Sequence, residues 1–588
     1  MGIPRTSGDE RITVSFLSRR PHSLVEPVLE PDGCGGFRHA RRPGPSACRR
    51  PNETRQVQQS RTVWEQPMNR YLKLLLLASC AGLAVSAAEA KTLRFAESQE
   101  ISSMDPHAAR EDFTLSLIGN VYEGLVRWNK ELKIEPALAE SWETLSDTQW
   151  RFHLRKGVEF HNGNPFTADD VIFSYERAGS PGSPFAGLLE PIAGIAKVDD
   201  HTIDITLKRK YALLLNDFAG WYILDKEFQE SIGAQKPLDL STNTGGAMIT
   251  QGIGTGPFKV ASREPDVKTV FVANEKWWDK REHNIDEIVY TPIANNATRV
   301  AALLSGEVDF IRNAPPQDVA RIEGTPGMQI MRAPHLRNIF YGMDQQSKTL
   351  PGLDSNPLAD VRVRKAIYQA IDIDGIKRSI MRDNSRPSAI MMAPQLPFYD
   401  ASLDVRSPFD IEASKALLKE AGYADGFTLP MDCPAGSFIN DEQICQATVG
   451  MLAKVGIKAQ LTMHPPVQFD TELPAGKYSF YMLGWAGLPT LDAYNIISAT
   501  FHTPTGDLGA WNPKGYSNAR VDELIPQIGT EYDTEKRQEM ISEVMKLHRD
   551  EVGKIMLHQQ FLTWGMSDKV HAIVPADEYT RFWYYTMD

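Results

Sequence analysis

Cysteine is scarce in this chain and becomes scarcer along it. Of five residues, Cys34 and Cys48 precede Met68, Cys80 sits in an apolar run, and only Cys433 and Cys445 lie beyond residue 90. With no CxxC and 13 scattered His, no cluster has zinc-ligand spacing, so a structural metal site has no support. Long apolar runs are lacking too: the one at 74–85 is shorter than a relaxed membrane span. Basic stripes are absent. From Lys91 onward, 50 Lys or Arg stand against 67 Asp or Glu, a net of −17, which argues against nucleic acid as a partner. HExxH, GxSxG and Walker patterns are missing, and Gly252-Ile253-Gly254-Thr255-Gly256 before Pro257 lacks the third glycine and helix start of a phosphate loop. That run reads as a tight turn. Isolated Asp, His and Ser residues form a catalytic set only if the fold gathers them, and each is more simply a surface or packing residue.

What is present is a globular composition, 588 residues with 42% hydrophobic and 9% aromatic. At roughly 150 residues per domain this corresponds to about three or four folding units. The charge is uneven. Residues 1–67 carry 11 Arg and no Lys against 7 acidic residues, opposite in sign to the rest. At Met68 the sequence MNRYLKLLLLASCAGLAVSAAEAKT supplies a basic start (Arg70, Lys73), the apolar run, and small residues ending Ala88-Glu89-Ala90. Residues 68–90 read as a secretory signal peptide cleaved before Lys91. Because a signal peptide begins a chain, 1–67 reads as upstream sequence translated in error, the alternative being a disordered basic arm. Leu77-Ala78-Ser79-Cys80 also fits a lipoprotein box that would place a lipid on Cys80, although only twelve residues would precede it. The mature protein is expected to be exported, acidic and soluble, and two Cys in an exported chain imply one bridge, Cys433 to Cys445.

Along residues 91–588, strand and helix patterns take turns. Leu93 and Phe95, Trp150-Arg151-Phe152-His153-Leu154 and Ile203-Asp204-Ile205-Thr206-Leu207 alternate apolar with polar as half-buried strands do. Thr167 with Asp170 predicts a capping box opening a helix with face Val171, Ile172 and Tyr175. Helices are predicted at 297–305, stopped by Gly306, at 414–421, stopped by Gly422, and at 442–455, stopped by Gly456. Strands follow at 308–311 and 457–463. Such alternation indicates α/β domains. No repeat is found; the Pro-, Gly- and Asn-rich loops at 180–184, 241–256 and 348–357 are candidate linkers.

Specific words then carry a resemblance. Tyr122-Glu123-Gly124-Leu125-Val126, Pro136-Ala137-Leu138-Ala139-Glu140-Ser141-Trp142, Phe152-His153-Leu154-Arg155-Lys156-Gly157-Val158, Phe160-His161-Asn162-Gly163 and Ala168-Asp169-Asp170-Val171 come first. Gly254-Thr255-Gly256-Pro257-Phe258, Ser305-Gly306-Glu307-Val308-Asp309, Val361-Arg362-Val363-Arg364-Lys365-Ala366 and Gly484-Trp485 follow. In this order they resemble the landmarks of the family 5 extracytoplasmic solute-binding proteins of ABC importers, the dipeptide, oligopeptide and nickel receptor type. The likeness covers nearly all of 91–588. It implies an α/β, two-lobed periplasmic binding protein of type II, monomeric and without cofactor, that closes on a peptide or other small solute and delivers it to permease subunits in the inner membrane.

The family layout implies a first lobe of 91–130, 252–340 and 560–588, an inserted subdomain at 131–251, and a second lobe at 341–559. Crossing strands are expected near Asn338-Ile339-Phe340-Tyr341 and Met556-Leu557-His558-Gln559, where a double crossing makes a hinge. Trp485 matches the family's cleft tryptophan and stacks on a solute unless it is core. Asp105 and His107, after the first strand, face the crevice unless Asp105 only stabilises a turn before Pro106. Tyr341, Phe438 and Trp511 are further aromatic candidates; Glu123 reads as structural.

Departures from the family bear on the solute. Dipeptide receptors hold the ammonium with an Asp shortly after Gly-Trp and the carboxylate with an Arg before the helix matching 442–455. Here those positions are Leu488 and Gly436 or Ser437, so both anchors are missing unless Asp492 reaches in. The solute is left open among longer or modified peptides, opine-like conjugates and sugars, and a nickel chelate lacks a ligand set. An exported hydrolase and a periplasmic holdase are the alternatives of another class.

Overall fold

The computed structural model describes residues 90–241, 246–488 and 490–588. The expected leader, signal peptide and lipid box lie outside the described residues except for Ala90. Chain contacts divide the polypeptide into Met1–Ser86 and Ala87–Asp588, and every strand and helix named below belongs to the second of these units.

The strands used below, in chain order, are β1 (Thr92–Glu97), β2 (Ala139–Ser146), β3 (Gln149–Leu154), β4 (Ile192–Asp199), β5 (Thr202–Leu207), β6 (Phe258–Glu264), β7 (Lys268–Ala273), β8 (Glu287–Pro292), β9 (Phe310–Ile311), β10 (Met328–Met343), β11 (Phe427–Pro434), β12 (Ile457–His464), β13 (Phe480–Trp485) and β14 (Ile555–Ser567). The helices used below are α1 (Asp112–Ile118), α2 (Ala168–Ala178), α3 (Asn296–Ser305), α4 (Ile411–Glu420), α5 (Asp441–Ala453), α6 (Ala493–Thr500) and α7 (Thr534–Asp550). Local rules account for several ends. Thr167 and Asp170 form the reciprocal cap of α2, and α3 stops where Gly306 turns left-handed at φ 74°.

One eleven-stranded sheet runs β12-β11-β13-β10-β14-β9-β1-β8-β7-β6, with Ser385–Pro387 joining β14 off this path. The trios β12, β11, β13 and β8, β1, β9 are parallel, whereas β10 and β14 lie antiparallel between them. β2-β3-β5-β4 is a separate antiparallel sheet within the segment expected as an insertion. Strands β10 and β14 therefore connect the two parallel trios, and Asn338, Ile339, Phe340 and Tyr341 pair with Gln559, His558, Met556 and Ile555. Behind β10, β11, β13 and the start of β14, one core gathers Ile339, Tyr341, Phe480, Met482 and Leu557 with apolar faces of α5 and 361–376.

The glycine run is not a free-standing turn. A side chain on Gly254 would fall 2.1 Å from the Val121 carbonyl oxygen, and one on Gly256 2.7 Å from that of Asn120. Residues 254–258 lie against 120–121, with Gly256 N donating to Val121 O (2.9 Å) and Phe258 N to Asn120 O (3.0 Å). Close backbone approach, not a phosphate or a turn, demands these glycines.

Among the described residues no helix is long and apolar enough to cross a membrane, and no group of three or more His, Cys, Asp or Glu is placed to hold a metal ion.

Candidate functional site

The end of β13 lies opposite β10, with Trp485 paired to Asn338 and Gly484 to Ile339. Trp485 is half-buried; its Nε1 donates to Asn495 Oδ1 of α6 (3.0 Å), and its ring lies 5.6 Å from that of Trp511. Phe438 covers Gly484: a side chain there would meet the Phe438 ring at 2.8 Å. The loop bearing Phe438 is tied at both ends. Cys433 at the end of β11 is bridged to Cys445 in α5, and the Asp441 carboxylate accepts from the backbone N–H groups of Gly436, Ser437 and Phe438 (2.8–3.2 Å). Three candidates, Phe438, Trp485 and Trp511, thus stand beside the crossing strands with partly open faces.

Four other candidates are corrected. Asp105 does not face a crevice: its carboxylate takes both Nη atoms of Arg177 at 2.8 and 2.7 Å, each side chain fully buried, and also the Leu238 N–H. An isolated buried carboxylate is costly, and α2 supplies the cation that offsets it. His107 is buried too, with Nε2 on Tyr222 O (2.9 Å), and burial lowers its pKa to about 4, so the ring is neutral. Tyr341 belongs to the core behind the crossing strands, its ring 4.8 Å from Phe480 and its hydroxyl donating to Thr448 (2.8 Å). Asp492 is not an ammonium anchor. It caps α6 through Tyr494 N (2.7 Å) and both its oxygens hold Arg537 of α7. Glu123 is structural, accepting from Trp277, Trp278 and Thr255.

A cavity opens where Leu488 and Leu491 meet Gly119, Tyr222 and Tyr579, and it is predominantly apolar. Asn216 donates to Thr490 O (2.7 Å) on the same border, and Ala212 N to Gly529 O (3.0 Å).

Sequence reasoning missed two charged groups. Arg337, just before the crossing word, places its guanidinium carbon 5.9 Å from the Phe438 ring centroid. Asp112 opens α1, and burial above all pushes its carboxyl up to about 6; Arg337 and Arg110 pull it down, while Glu578 and Asp577 push it up. The one available signal was a charge placed two residues before the apolar run Ile339, Phe340 and Tyr341.

The family profile described as bacterial extracellular solute-binding proteins, family 5, middle, matches residues 133–507. The chain belongs to this family. It is 26% identical over 517 residues to the dipeptide-binding protein of Escherichia coli K12, covering 82% of this chain and 92% of that protein. It is 29% identical over 434 residues to heme-binding protein A of Haemophilus influenzae, covering 69% and 75%. Among solved structures, the periplasmic binding protein DppA from Helicobacter pylori in complex with peptide STSA superposes with a TM-score of 0.69 at 23% identity, covering 84% of this chain and 98% of that one. The fold of this family 5 member is that of a type II periplasmic binding protein, with Phe438, Trp485 and Trp511 beside its paired crossing strands.

Proposed function

We propose that this family 5 protein is the solute-capturing component of an ABC importer, working in the periplasm as a monomer and passing a peptide or peptide-like solute to membrane permease subunits. The observation that carries the reading is the aromatic group Phe438, Trp485 and Trp511 at the junction where β10 and β14 pair. Bending two adjacent strands swings one lobe on the other without repacking either core. A solute then favours the closed form through its added contacts with the second lobe, and only those contacts shift the balance. The direct contacts across the border include the hydrogen bonds Asn216 to Thr490, Ala212 to Gly529 and Tyr211 N to the Tyr532 hydroxyl, and the rings of Trp150 and Tyr532 packed 6.2 Å apart, all of which part on opening. The division proposed is a first lobe of 91–130, 252–340 and 560–588, with 131–251 inserted in it, and a second lobe of 341–559. No catalysis is assigned to the protein.

A non-peptide solute, such as a sugar, an opine-like conjugate or a metal chelate, is the second reading. What favours it is Leu488, apolar where the dipeptide receptors of the family carry an Asp.

Native mass spectrometry of protein purified from its own periplasm tests both. A bound mass assignable to peptides supports the first reading and a non-peptide mass the second. Turnover of a chromogenic ester or peptide by pure protein, without stoichiometric solute binding, overturns both. N-terminal sequencing of the exported protein is expected to begin at Lys91, whose backbone N donates to Asp286 and whose Nζ donates to Met587 O; a lipidated Cys80 or a retained basic leader would overturn that start.

A further inference from the structure

Strand β10 loses register with β14 between Pro334 and Asn338, so His335, Leu336 and Arg337 stand outside the ladder. Their backbone is satisfied elsewhere: Leu336 N donates to Ala576 O (3.0 Å), and His335 O accepts from Gln559 Nε2 (2.8 Å). Such an irregularity turns a side chain out of the sheet's alternation and toward a site. Arg337 emerges there, one residue from the Asn338 that faces Trp485, with its guanidinium beside Phe438.

Among the described residues this guanidinium makes no hydrogen bond and no ion pair. Of the other cations there, Arg581 has Asp577 (2.6 Å); Arg312 lies 3.7 Å from both Glu97 and Glu578, with its Nε and Nη1 making no hydrogen bond among the described residues, and Arg110, 5.5 Å over the Phe185 ring, makes none either. The Asp112 carboxyl, half-buried at the start of α1, likewise accepts no hydrogen bond from a described residue. The charged groups facing it are Arg110 on its own segment, Arg337 from the β10 irregularity, and Asp577 and Glu578 from the C-terminal loop, with the Tyr579 hydroxyl beside them. Of these, Asp577 is taken by Arg581, and Glu578 is shared by Arg312 and His335 (3.5 Å). Phe113, next to Asp112, lies under the Arg312 guanidinium (5.6 Å), and Arg312 and His335 share Glu578, so the opposite charges Asp112 and Arg337 border one partly buried space, and among the described residues neither has a hydrogen-bonded partner.

We propose that Arg337 is the carboxylate anchor of the solute and Asp112 its cation anchor, so that the solute is zwitterionic, its carboxylate beside Phe438 and its ammonium or guanidinium at α1. This rests on the solute-capture reading above. A guanidinium presents paired N–H donors that match a carboxylate, and pairing offsets desolvation that either group would otherwise bear alone on closure. The anchors thus sit on different walls from those of the family's dipeptide receptors, which explains how Leu488, and Gly436 or Ser437, can stand where charges do in those relatives. Because burial lifts Asp112 to about 6, an ammonium is met by a carboxylate at pH 7.5 and by a neutral acid at pH 5.

Calorimetry on the full exported protein is the test. The probes are di- to pentapeptides, their C-terminal amides, their N-acetyl forms, and N-carboxyalkyl amino acids as non-peptide zwitterions. For wild type, amidation and acetylation are each expected to weaken binding at least tenfold. Binding of the free peptide should also weaken between pH 7.5 and 5, while that of the N-acetyl form does not. Arg337→Gln should lose the discrimination against amides while binding the amide as wild type does, Arg337→Lys should restore part of it, and Asp112→Asn should lose the discrimination against acetylation. Thermal melts confirm that each variant is folded. Peptides bound without regard to amidation, or discrimination that survives in Arg337→Gln, overturn the anchors and leave the capture of peptides standing. Non-peptide zwitterions bound through Arg337 while peptides are refused uphold the anchors and overturn the peptide reading. Failure to bind any probe overturns both.

Discussion

Asp492 and Arg537 form a two-pronged ion pair, with Oδ2 to Nη1 at 2.8 Å and Oδ1 to Nη2 at 2.7 Å, both side chains almost wholly buried. The pair ties the N-terminus of α6, just beyond Leu488 and Leu491, to α7. Removing one member strands the other charge away from water, a loss of roughly 3–5 kcal/mol. Asp492→Ala is therefore expected to lower the thermal midpoint sharply and to leave the solute affinity of the protein that remains folded unchanged. Urea unfolding beside calorimetry checks it; weaker binding at undiminished stability would return Asp492 to the solute.

Trp485 makes the opposite prediction. It is half-buried, with one partner hydrogen bond and one ring neighbour. Trp485→Ala should weaken the solute by about 1–3 kcal/mol, the scale for a buried interface aromatic, with little change in melting temperature. A large drop in melting temperature with affinity preserved would make it a core residue.

The bridge from Cys433 to Cys445 closes a segment of 12 residues in sequence separation that includes Phe438. Denatured, unreduced protein beginning at Lys91 should show no free thiol. Reduction should cost about 2–3 kcal/mol of stability, the scale for so short a loop. It should also weaken solute binding, because the Phe438 loop then keeps only hydrogen bonds, those to Asp441 together with Ala435 N to His464 O and Asn440 Nδ2 to Ile380 O. Two thiols titrated before reduction would disprove the bridge.

Lys554, at the foot of β14, is buried with its Nζ 5.3 Å from the Phe340 ring centroid and 3.4 Å from Asn512 Oδ1, and burial lowers its pKa to about 7. The folded chain sheds this proton at lower pH than the unfolded chain does. Its cost is thus complete below pH 7 and is relieved as pH rises toward about 10. Lys554→Met should be more stable than wild type by about 1–4 kcal/mol at pH 7. The gain should shrink across pH 7–10; urea midpoints that differ equally at both ends would exclude the titration.

The local features were legible because they depend on neighbours in sequence. The cap Thr167–Asp170, the stop at Gly306, and the strands around Phe152 and Ile205 follow from side chains three or four residues apart or from alternation along one strand. The crossing words were also legible as two apolar extended segments. Their pairing was not, since nothing local brings residue 339 to residue 558.

The site separated along the same line. The sequence by itself determined the family, the scarcity of thiols that leaves Cys433 and Cys445 as the candidate pair, and the aromatic words Phe438, Trp485 and Trp511. Only the tertiary structure decided which polar residues are free. Asp105 and Asp492 look available as sequence, yet each meets an Arg 72 and 45 residues away, respectively. Arg337 and Asp112 look ordinary as sequence, yet no described residue pairs with either. Whether a charge is spent or available depends on which distant side chain shares its desolvated space, and that is fixed by packing alone.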